Sequence, residues 1–265
     1  MSEITYYSDD SYLGEGFSLG IAKGILVKYK DTNIVQEGLG IGNIALRNGL
    51  MTYFASTCKT VQLSETQFRK TFLVDTMLLW RINGKQSIFI TGVIDILAQF
   101  YMLLPGFQNK LLKTGTLFRN LFKLTPQLIK ITPITEAYFN YSVKDDELYV
   151  ESKIKSLAGY LNKVFVLNEL GADYFPNGIK NRKTVVAPTG WKYIASSPAS
   201  IAFYNSNYNL SFFVKKINVT DLIPYKVFWG REKTKDFSWA GFEFEFDCRN
   251  KKIKSFGCEY IAKIK

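Results

Sequence analysis

The sequence predicts a mainly β protein, either all-β or a β-rich α+β protein. Aromatic residues form 15% of the 265 residues, and they include 21 Phe and 16 Tyr, which are enriched in strands. Apolar and polar residues alternate with period two in many short runs, and turn signals separate these runs roughly every 8 to 12 residues. We expect two packed antiparallel β barrels or sandwiches, lipocalin-like by analogy of architecture only, with a short helical insertion around residues 97–123.

Two units of similar size are expected. A length of 265 residues allows one large domain or two domains of about 130 residues each. Pro126 and Pro133 lie among polar residues near the middle of the chain. We therefore predict an N-terminal β unit at residues 1–130, which includes the basic amphipathic helical segment, and a C-terminal antiparallel β unit at residues 131–265.

The first third of the chain begins with a polar lead at residues 1–16 and continues in strand-like runs. Asn48-Gly49 and Asn83-Gly84 are hairpin signals. The run Gly40-Ile-Gly42-Asn-Ile-Ala45 matches a dinucleotide-binding pattern, but Asn48-Gly49 ends any following helix within a turn, so we interpret the run as a glycine-rich bend. The predicted strands cover residues 17–22, 24–29, 34–37, 51–56, 59–63 and 67–80.

The middle of the chain is apolar first and basic afterwards. Residues 72–81 and 88–104 predict a deeply buried pair of strands, or a strand and a helix. Asp95 interrupts the second run, which is also short for a membrane span of about 20 residues. Residues 107–123 form a basic amphipathic segment without acidic residues. This segment fits a helix that packs on a sheet with its lysines in water, and the alternative is peripheral contact with an anionic membrane.

The last half of the chain predicts strands with few interruptions. A short helix is predicted at residues 156–162 and a loop at residues 168–184. The run from Phe242 to Asp247 alternates strictly, which places three Phe on one face and three carboxylates on the other. The predicted strands cover residues 127–132, 136–143, 148–154, 164–167, 191–195, 200–204, 209–216, 225–229, 239–248 and 252–264.

Charge and composition restrict the partners and the chemistry. The net charge of +11 permits nucleic acid, an anionic membrane or an acidic ligand as a partner, or a solvated lysine surface. The basic and aromatic residues do not gather in one motif, which disfavours nucleic-acid binding. The sequence contains no His, which excludes Ser-His-Asp and Cys-His sites and His-ligated metals. Three Cys and a polar, acidic N-terminus predict a cytoplasmic protein without a zinc site.

Four carboxylates are candidate catalytic residues: Asp75, Asp95, Glu169 and Asp173. Asp75 and Asp95 interrupt apolar runs, where a buried carboxylate is costly unless it is paired. One interpretation is that they lie on adjacent strands and form an acid–base pair inside a cavity. The alternative is an ion pair of one of them with Arg81, or an outward-facing position. Glu169 and Asp173 lie in a predicted loop at a strand end, where site residues are frequent, although such residues also cap turns.

Aromatic and polar side chains complete the predicted site. The four Trp lie on separate predicted strands, where they either line an apolar pocket or fill the core. The predicted ligand-binding residues are Trp80, Arg81, Tyr101, Asn168, Tyr174, Trp191, Trp229 and Trp239.

These observations favour a soluble protein that binds a hydrophobic small molecule such as a lipid or an isoprenoid. An alternative is an isomerase, cyclase or hydratase that acts on such a ligand through buried carboxylates, without a cofactor or a metal. A second alternative is a peripheral membrane or scaffold protein. The sequence leaves open whether the protein is an enzyme.

Overall fold

The computed structural model describes residues 3–12, 20–36, 38–103, 121–195, 197–233 and 238–265, and for residues 95, 98–103 and 221 it describes the backbone alone. Eighteen strands and one α-helix lie in these residues. In the N-terminal half they are β1 (Ile4–Tyr7), β2 (Leu26–Tyr29), β3 (Thr32–Asn33), β4 (Gly40–Asn48), β5 (Met51–Ser64), β6 (Gln67–Ile82), β7 (Lys85–Ser87), α1 (Ile88–Leu103) and β8 (Thr125–Lys144).

The C-terminal half of the described chain consists of strands and short turns. The strands are β9 (Glu147–Ser156), β10 (Lys163–Leu170), β11 (Asn177–Lys180), β12 (Lys183–Val186), β13 (Gly190–Tyr193), β14 (Ile201–Asn205), β15 (Leu210–Val219), β16 (Tyr225–Lys233), β17 (Ser238–Asp247) and β18 (Ser255–Ile264). The predicted helix at residues 156–162 is wrong, because residue 156 ends β9 and residues 157–162 are irregular chain before β10. The predicted loop at residues 168–184 is wrong in part, because it includes the end of β10 and the hairpin of β11 and β12.

The strands form a large antiparallel sheet and a small one, which confirms the mainly β prediction. The small sheet has the order β1-β2-β3. The large sheet has the order β12-β11-β14-β15-β18-β9-β8-β6-β5-β4-β10-β17-β16-β13, with β7 paired to β6. Since this path runs from one edge strand to another, the described strands do not close into a barrel, and the lipocalin-like analogy is wrong.

The large sheet folds over and packs against itself as a sandwich. Phe244 of β17 contacts Tyr260 of β18, with ring centroids 4.8 Å apart, although these strands are far apart in the sheet order. Phe242 of the same strand lies 5.3 Å from Phe212 of β15, and both rings are buried. The period-two pattern of β17 therefore supplies the aromatic layer of the main core.

The glycine run of β4 belongs to a strand, not to a phosphate-binding turn. All residues from Gly40 to Leu46 are buried in β4. Gly42 has a φ of +73°, and a Cβ atom there would lie 2.7 Å from the hydroxyl oxygen of Tyr141. That hydroxyl donates to the carbonyl oxygen of Gly42 over 2.7 Å. The interpretation as a place of close backbone approach is confirmed.

Residues 88–103 form the helix α1, which corrects the prediction of a helix that starts near residue 97. The Oγ atom of Ser87 accepts the backbone N–H of Ile90 over 3.2 Å and caps the helix start. The predicted deep burial of this run is wrong, because Phe89 is 77% exposed. Periodicity alone does not show whether a continuous apolar run forms a strand or a helix. Residues 104–120, which hold most of the predicted helical insertion, lie outside the described residues.

A search of the described helices for a membrane span found none that combines sufficient length with sufficient apolar character.

The predicted unit boundary between residues 130 and 131 lies inside β8. This strand continues through the boundary and pairs with β6 on one side and β9 on the other. The division into two units stays a prediction.

We expect Phe242→Ala to lower the free energy of unfolding by about 3 to 5 kcal/mol, because it removes a fully buried ring and leaves a cavity. Phe89→Ala is the matched control, since the Phe89 ring is exposed, and it should change stability by less than about 0.5 kcal/mol. Urea unfolding followed by circular dichroism measures both. Equal losses in the two variants would contradict this assignment of the core.

Candidate active site

The neighbouring strands β10 and β17 are buried on both faces. One face of β17 carries the Phe side chains of the main core, and the other face carries carboxylates. Leu167 pairs with Glu243, and Glu169 pairs with Gly241. Residues paired across antiparallel strands point to the same face, and side chains of one strand return to that face every second residue. Glu169 and Glu243 are therefore diagonal neighbours, with Cα atoms roughly 7 to 8 Å apart.

Glu169 is a buried carboxylate that holds a backbone group. Its Oε2 atom accepts the backbone N–H of Leu39 over 3.0 Å. Burial raises its pKa to about 7, although the hydrogen bond from Leu39 and the charge of the buried Lys23 act in the opposite direction. The carboxyl group of Glu169 is therefore poised between its charged and neutral forms at neutral pH.

Glu243 is buried beside Glu169, and one of its oxygens lacks a partner. Only 7% of the residue is exposed, and within the described part of the chain Oε1 has no hydrogen-bond partner. Burial raises the pKa of Glu243 to about 8; the charges of Glu245 and Glu169 raise it further, and Arg47 acts in the opposite direction. At pH 7 the Glu243 carboxyl group is mostly protonated and can donate a proton.

A third carboxylate and two indole rings border this pair. Glu232 pairs with Trp239, and burial raises the pKa of Glu232 to about 7. Trp191 stacks on Trp239, with ring centroids 4.2 Å apart and an interplanar angle of 23°. We call the face of the sheet that carries Glu169, Glu232 and Glu243 the carboxylate face.

The strand pairing places the stacked indoles on the same side of the sheet as the carboxylate face. Trp191 pairs with Gly230, Gly230 pairs with Gly241, and Gly241 pairs with Glu169. This row joins an aromatic surface to an acidic one across four strands. A Cβ atom at Gly241 would lie 2.1 Å from the carbonyl oxygen of Asn168, so the close approach of these strands requires glycine there.

Basic side chains flank the carboxylate face. The Nζ atom of Lys163 lies 2.8 Å from Oε1 of Glu245 in an ion pair. The guanidinium of Arg47 lies over the ring of Phe165, 5.5 Å from its centroid. Lys163 is thus already paired with a different carboxylate, and its charge, like that of Arg47, lowers the pKa of Glu243 less than burial raises it. Within the described residues, no group of three or more His, Cys, Asp or Glu is arranged to hold a metal ion.

Asp75 is buried, and its partner is Lys130. Lys130 donates to Oδ2 of Asp75 over 2.5 Å, and Thr57 donates to the same atom over 2.6 Å. Ser56 donates to Oδ1 through its backbone N–H over 2.9 Å. Burial opposes ionisation, but these hydrogen bonds outweigh it, and the pKa of Asp75 is lowered. A carboxylate of this kind is a stable anion and a weak base.

Two predicted residues lie on α1, where their side chains are outside the described part of the structure. These are Asp95 and Tyr101. The expectation that Asp75 and Asp95 lie on adjacent strands is wrong, because residue 95 belongs to a helix.

The predicted loop residues after β10 lie at the surface. Asp173 is exposed and forms an ion pair with Lys233. Tyr174 is half-buried, and its ring lies 6.1 Å from that of Tyr208.

Asn168 and Trp229 lie in the main core, on the opposite face of the sheet from Glu169. Oδ1 of Asn168 accepts the hydroxyl of Tyr260 over 2.7 Å and the backbone N–H of Gly42 over 3.1 Å. The ring of Trp229 packs 5.5 Å from Phe203. These contacts give both side chains a place in the packing of the sandwich.

Trp80 and Arg81 lie near the end of β6, beside α1. The backbone N–H of Trp80 donates to Oγ1 of Thr91 over 2.8 Å, and Arg81 pairs with Gln86 of β7. Of the predicted residues, the structure therefore brings together Glu169, Trp191 and Trp239.

Sequence reasoning missed Glu243 and Glu232. The alternation of Phe and Glu around residue 243 was a usable signal, because it places Glu243 on one fixed face. The pattern did not reveal that this face is covered, since an edge strand with a solvated face has the same alternation.

A cleft of about 500 Å³ opens on another part of the sheet, between β6, β8, β9, β15 and β18. Nε of Arg69 donates to Oδ1 of Asn140 over 2.8 Å, and Nδ2 of Asn140 donates to Oε2 of Glu151 over 3.1 Å. The predicted site residues lie outside this cleft.

No protein-family model matches the sequence, and no curated protein matches it. Among solved structures, a proposed aldose 1-epimerase from Escherichia coli K12 is 7% identical, with a TM-score of 0.42 over 92% of each chain. The Slr1438 protein from Synechocystis sp. PCC 6803 is 10% identical, with a TM-score of 0.40 over 98% of this chain and 95% of that one. A galactose mutarotase related enzyme from Lactobacillus acidophilus is 10% identical, with a TM-score of 0.33 over 91% of this chain and 90% of that one. Likeness at this level carries no argument about activity or ligand.

We expect the stability of this protein to fall as the pH rises from about 5 to 9. Between the ordinary glutamate pKa of 4.5 and the raised values of about 7 for Glu169 and about 8 for Glu243, the folded protein holds protons that the unfolded chain has released. Glu243→Gln removes one of these groups, so its melting temperature should fall less over the same range, by several °C. Thermal unfolding at a series of pH values measures the two slopes.

The exposed residue Glu259 provides the control for that measurement, since Glu259→Gln should keep the slope of the unmodified protein. A Glu243→Gln variant with an unchanged slope would show that Glu243 is charged in the folded state.

Proposed function

We propose that this protein is an isomerase-type enzyme that uses Glu169 and Glu243 to move protons on a substrate bound at the carboxylate face. The observation that carries the proposal is the buried Oε1 atom of Glu243, which has no partner within the described residues and lies diagonal to a second buried carboxylate. An unpaired buried polar atom is costly, and such atoms are concentrated at functional sites.

Glu169 is assigned as the base and Glu243 as the acid. The Glu169 carboxylate is oriented by the N–H of Leu39, which holds one oxygen and leaves the other for a substrate proton. The pKa of Glu169, about 7, makes its ionised form available at neutral pH, and the pKa of Glu243, about 8, keeps it protonated. Two nearby carboxyl groups with different environments divide the two roles in this way.

The proposed reaction balances without an outside oxidant or reductant. Glu169 takes a proton from a C–H or O–H group of the substrate, and the released electron pair moves to a neighbouring oxygen or carbon. Glu243 gives its proton to the atom that gains negative charge. The product is an isomer of the substrate, and return of the proton from Glu169 to Glu243 through solvent restores the enzyme. A cyclase would use the same two steps, and a hydratase would add one molecule of water.

The substrate is proposed to combine a weakly acidic proton with a flat apolar part. The stacked rings of Trp191 and Trp239 offer an apolar surface in the same cross-strand region as the acid and the base. Both indoles are half-buried, so they keep an accessible side. A hydroxy-carbonyl compound with an apolar ring or chain has these properties.

A carrier of hydrophobic molecules is the second candidate function. The same indole pair supports it, because a carrier needs an apolar surface and no proton transfer. The two functions differ in one measurable respect, since only an enzyme exchanges substrate protons with the solvent.

We expect the purified protein in D₂O to place deuterium into at least one member of a panel of hydroxy-carbonyl compounds, as detected by NMR. Glu169→Gln and Glu243→Gln should each slow the exchange by about 10²- to 10⁴-fold, because each removes one proton-transfer group. Glu245→Gln is the matched control on the same strand, since Glu245 is paired with Lys163, and it should keep most of the rate. Binding without exchange would favour the carrier, and full exchange by Glu243→Gln would exclude the assigned acid.

The rate should depend on pH as a narrow bell. The rate rises while Glu169 loses its proton at about pH 7 and falls once Glu243 loses its proton at about pH 8, so the maximum lies between these values. Because the two groups interact, the two limbs report apparent values of the pair. A rate that is flat from pH 5 to pH 10 would contradict acid–base catalysis by these residues.

A further inference from the structure

The helix α1 presents an apolar face to solvent. Phe89 is 77% exposed, Ile96 41% and Leu97 56%, and Val93 lies between them on the same side. These residues follow the spacing i, i+4, i+7 and i+8, which places them along one face of the helix. Other exposed apolar residues, such as Val186 and Leu222, stand singly, which is normal for a protein surface.

The opposite side of α1 fixes this orientation. Thr91 and Gly92 are buried against the sheet. Oγ1 of Thr91 donates to the carbonyl oxygen of Ser87 over 2.9 Å and accepts the backbone N–H of Trp80. A Cβ atom at Gly92 would lie 3.1 Å from Leu50, so the helix lies close against the chain there. Because Thr91 and its hydrogen bonds face the sheet, the apolar face of the helix points outward.

Two more apolar side chains and three basic ones lie at or near the β6–β7 hairpin, which immediately precedes the helix. Leu121 is 71% exposed and Phe122 is 37% exposed. The carbonyl oxygen of Phe122 accepts the backbone N–H of Asn83, which places this segment beside the turn between β6 and β7. The basic residues of this region are Arg81, Lys85 and Lys123. We call the apolar face of α1 together with Leu121 and Phe122 the α1 patch.

The sequence around the α1 patch is predominantly basic. Between Asp75 and Glu136 the sequence contains Asp95 as its single acidic residue, whereas Arg81, Lys85, Lys123 and Lys130 belong to the described basic residues of this stretch. The whole chain carries 34 basic and 23 acidic residues, a net charge of 34 − 23 = +11. An apolar face with a basic border matches a surface that combines acyl chains with negative headgroups.

From these observations we infer that the protein docks on an anionic lipid bilayer through the α1 patch, with α1 lying along the membrane surface. Phe89, Val93, Ile96 and Leu97 enter the boundary between headgroups and acyl chains. Arg81, Lys85 and Lys123 contact the negative headgroups. A second copy of this chain fits the patch less well, because a symmetric contact brings two basic borders together.

Vesicle sedimentation tests the inference, with vesicles of phosphatidylcholine alone and vesicles that also contain phosphatidylserine. We expect the protein to sediment with the anionic vesicles and to be released by high salt. Phe89→Asp should weaken this binding at least tenfold, whereas the control Leu222→Asp, at a position that is 86% exposed, should leave it unchanged. Equal effects of the two variants, or no binding to anionic vesicles, would overturn the inference.

Two double variants with the same change in net charge show whether the anionic vesicles attract the α1 patch itself or the whole basic protein. Lys85→Glu with Lys123→Glu should weaken binding more than Lys180→Glu with Lys183→Glu, which changes the net charge equally on the exposed β11–β12 hairpin. Equal losses would mean that net charge alone drives the binding and would contradict docking through the patch.

Light scattering of the free protein provides a second measurement. A dimer that Phe89→Asp dissociates would identify a second copy of the chain as the occupant of the patch instead. Thermal unfolding should show that every variant is folded.

Discussion

Burial of β10 and β17 on both faces is the constraint on which the rest of this structure depends. A strand inside a sandwich normally has one wet face, and its polar residues lie there. In this protein the main core covers the Phe face of β17, while Ile21, Leu39 and Phe54 cover the neighbouring parts of the other face. The alternation that puts Phe242 and Phe244 into the core therefore puts Glu243 into the protein as well. Buried carboxylates are a geometric consequence of placing an amphipathic strand in the middle of two packed layers.

The charge state of each buried carboxylate follows from the hydrogen-bond and ion-pair partners that its position allows. Asp75 lies where the pairing of β6 with β8 is irregular, so Lys130 and the hydroxyl of Thr57 reach it and stabilise its charge. Glu243 lies in a regular ladder, in which the backbone groups already bond to each other and few free donors remain. Its charge is consequently the less favoured form, and its pKa is high. Asp75 is thus a structural anion, whereas Glu243 favours its protonated form.

The sequence predicts the fold class well because period two is a local property that each strand expresses by itself. It also predicts that Glu243 and Glu245 share a face. It does not predict that Trp191 stacks on Trp239 or that Glu169 lies beside Glu243, because these contacts depend on the order of strands in the sheet, and pairing between distant strands leaves no local trace. The prediction for the run that contains α1 fails for another reason. A largely apolar run of sixteen residues fits a buried strand and a helix equally, and only the cap at Ser87 and the hydrogen bonds of Thr91 separate the two.

The proposed site and the α1 patch meet through β13. The helix lies against β6 and β13, and β13 carries Trp191, whose stacked indole pair borders the carboxylate face. A protein that docks through α1 would therefore hold its indole surface near the membrane, where an apolar substrate is most concentrated. The two proposals remain independent in their tests, because a Phe89→Asp variant that leaves the membrane still has Glu169 and Glu243 in place. The two proposals would be linked if Phe89→Asp lost activity on a membrane-bound substrate but kept full activity on the same compound in solution.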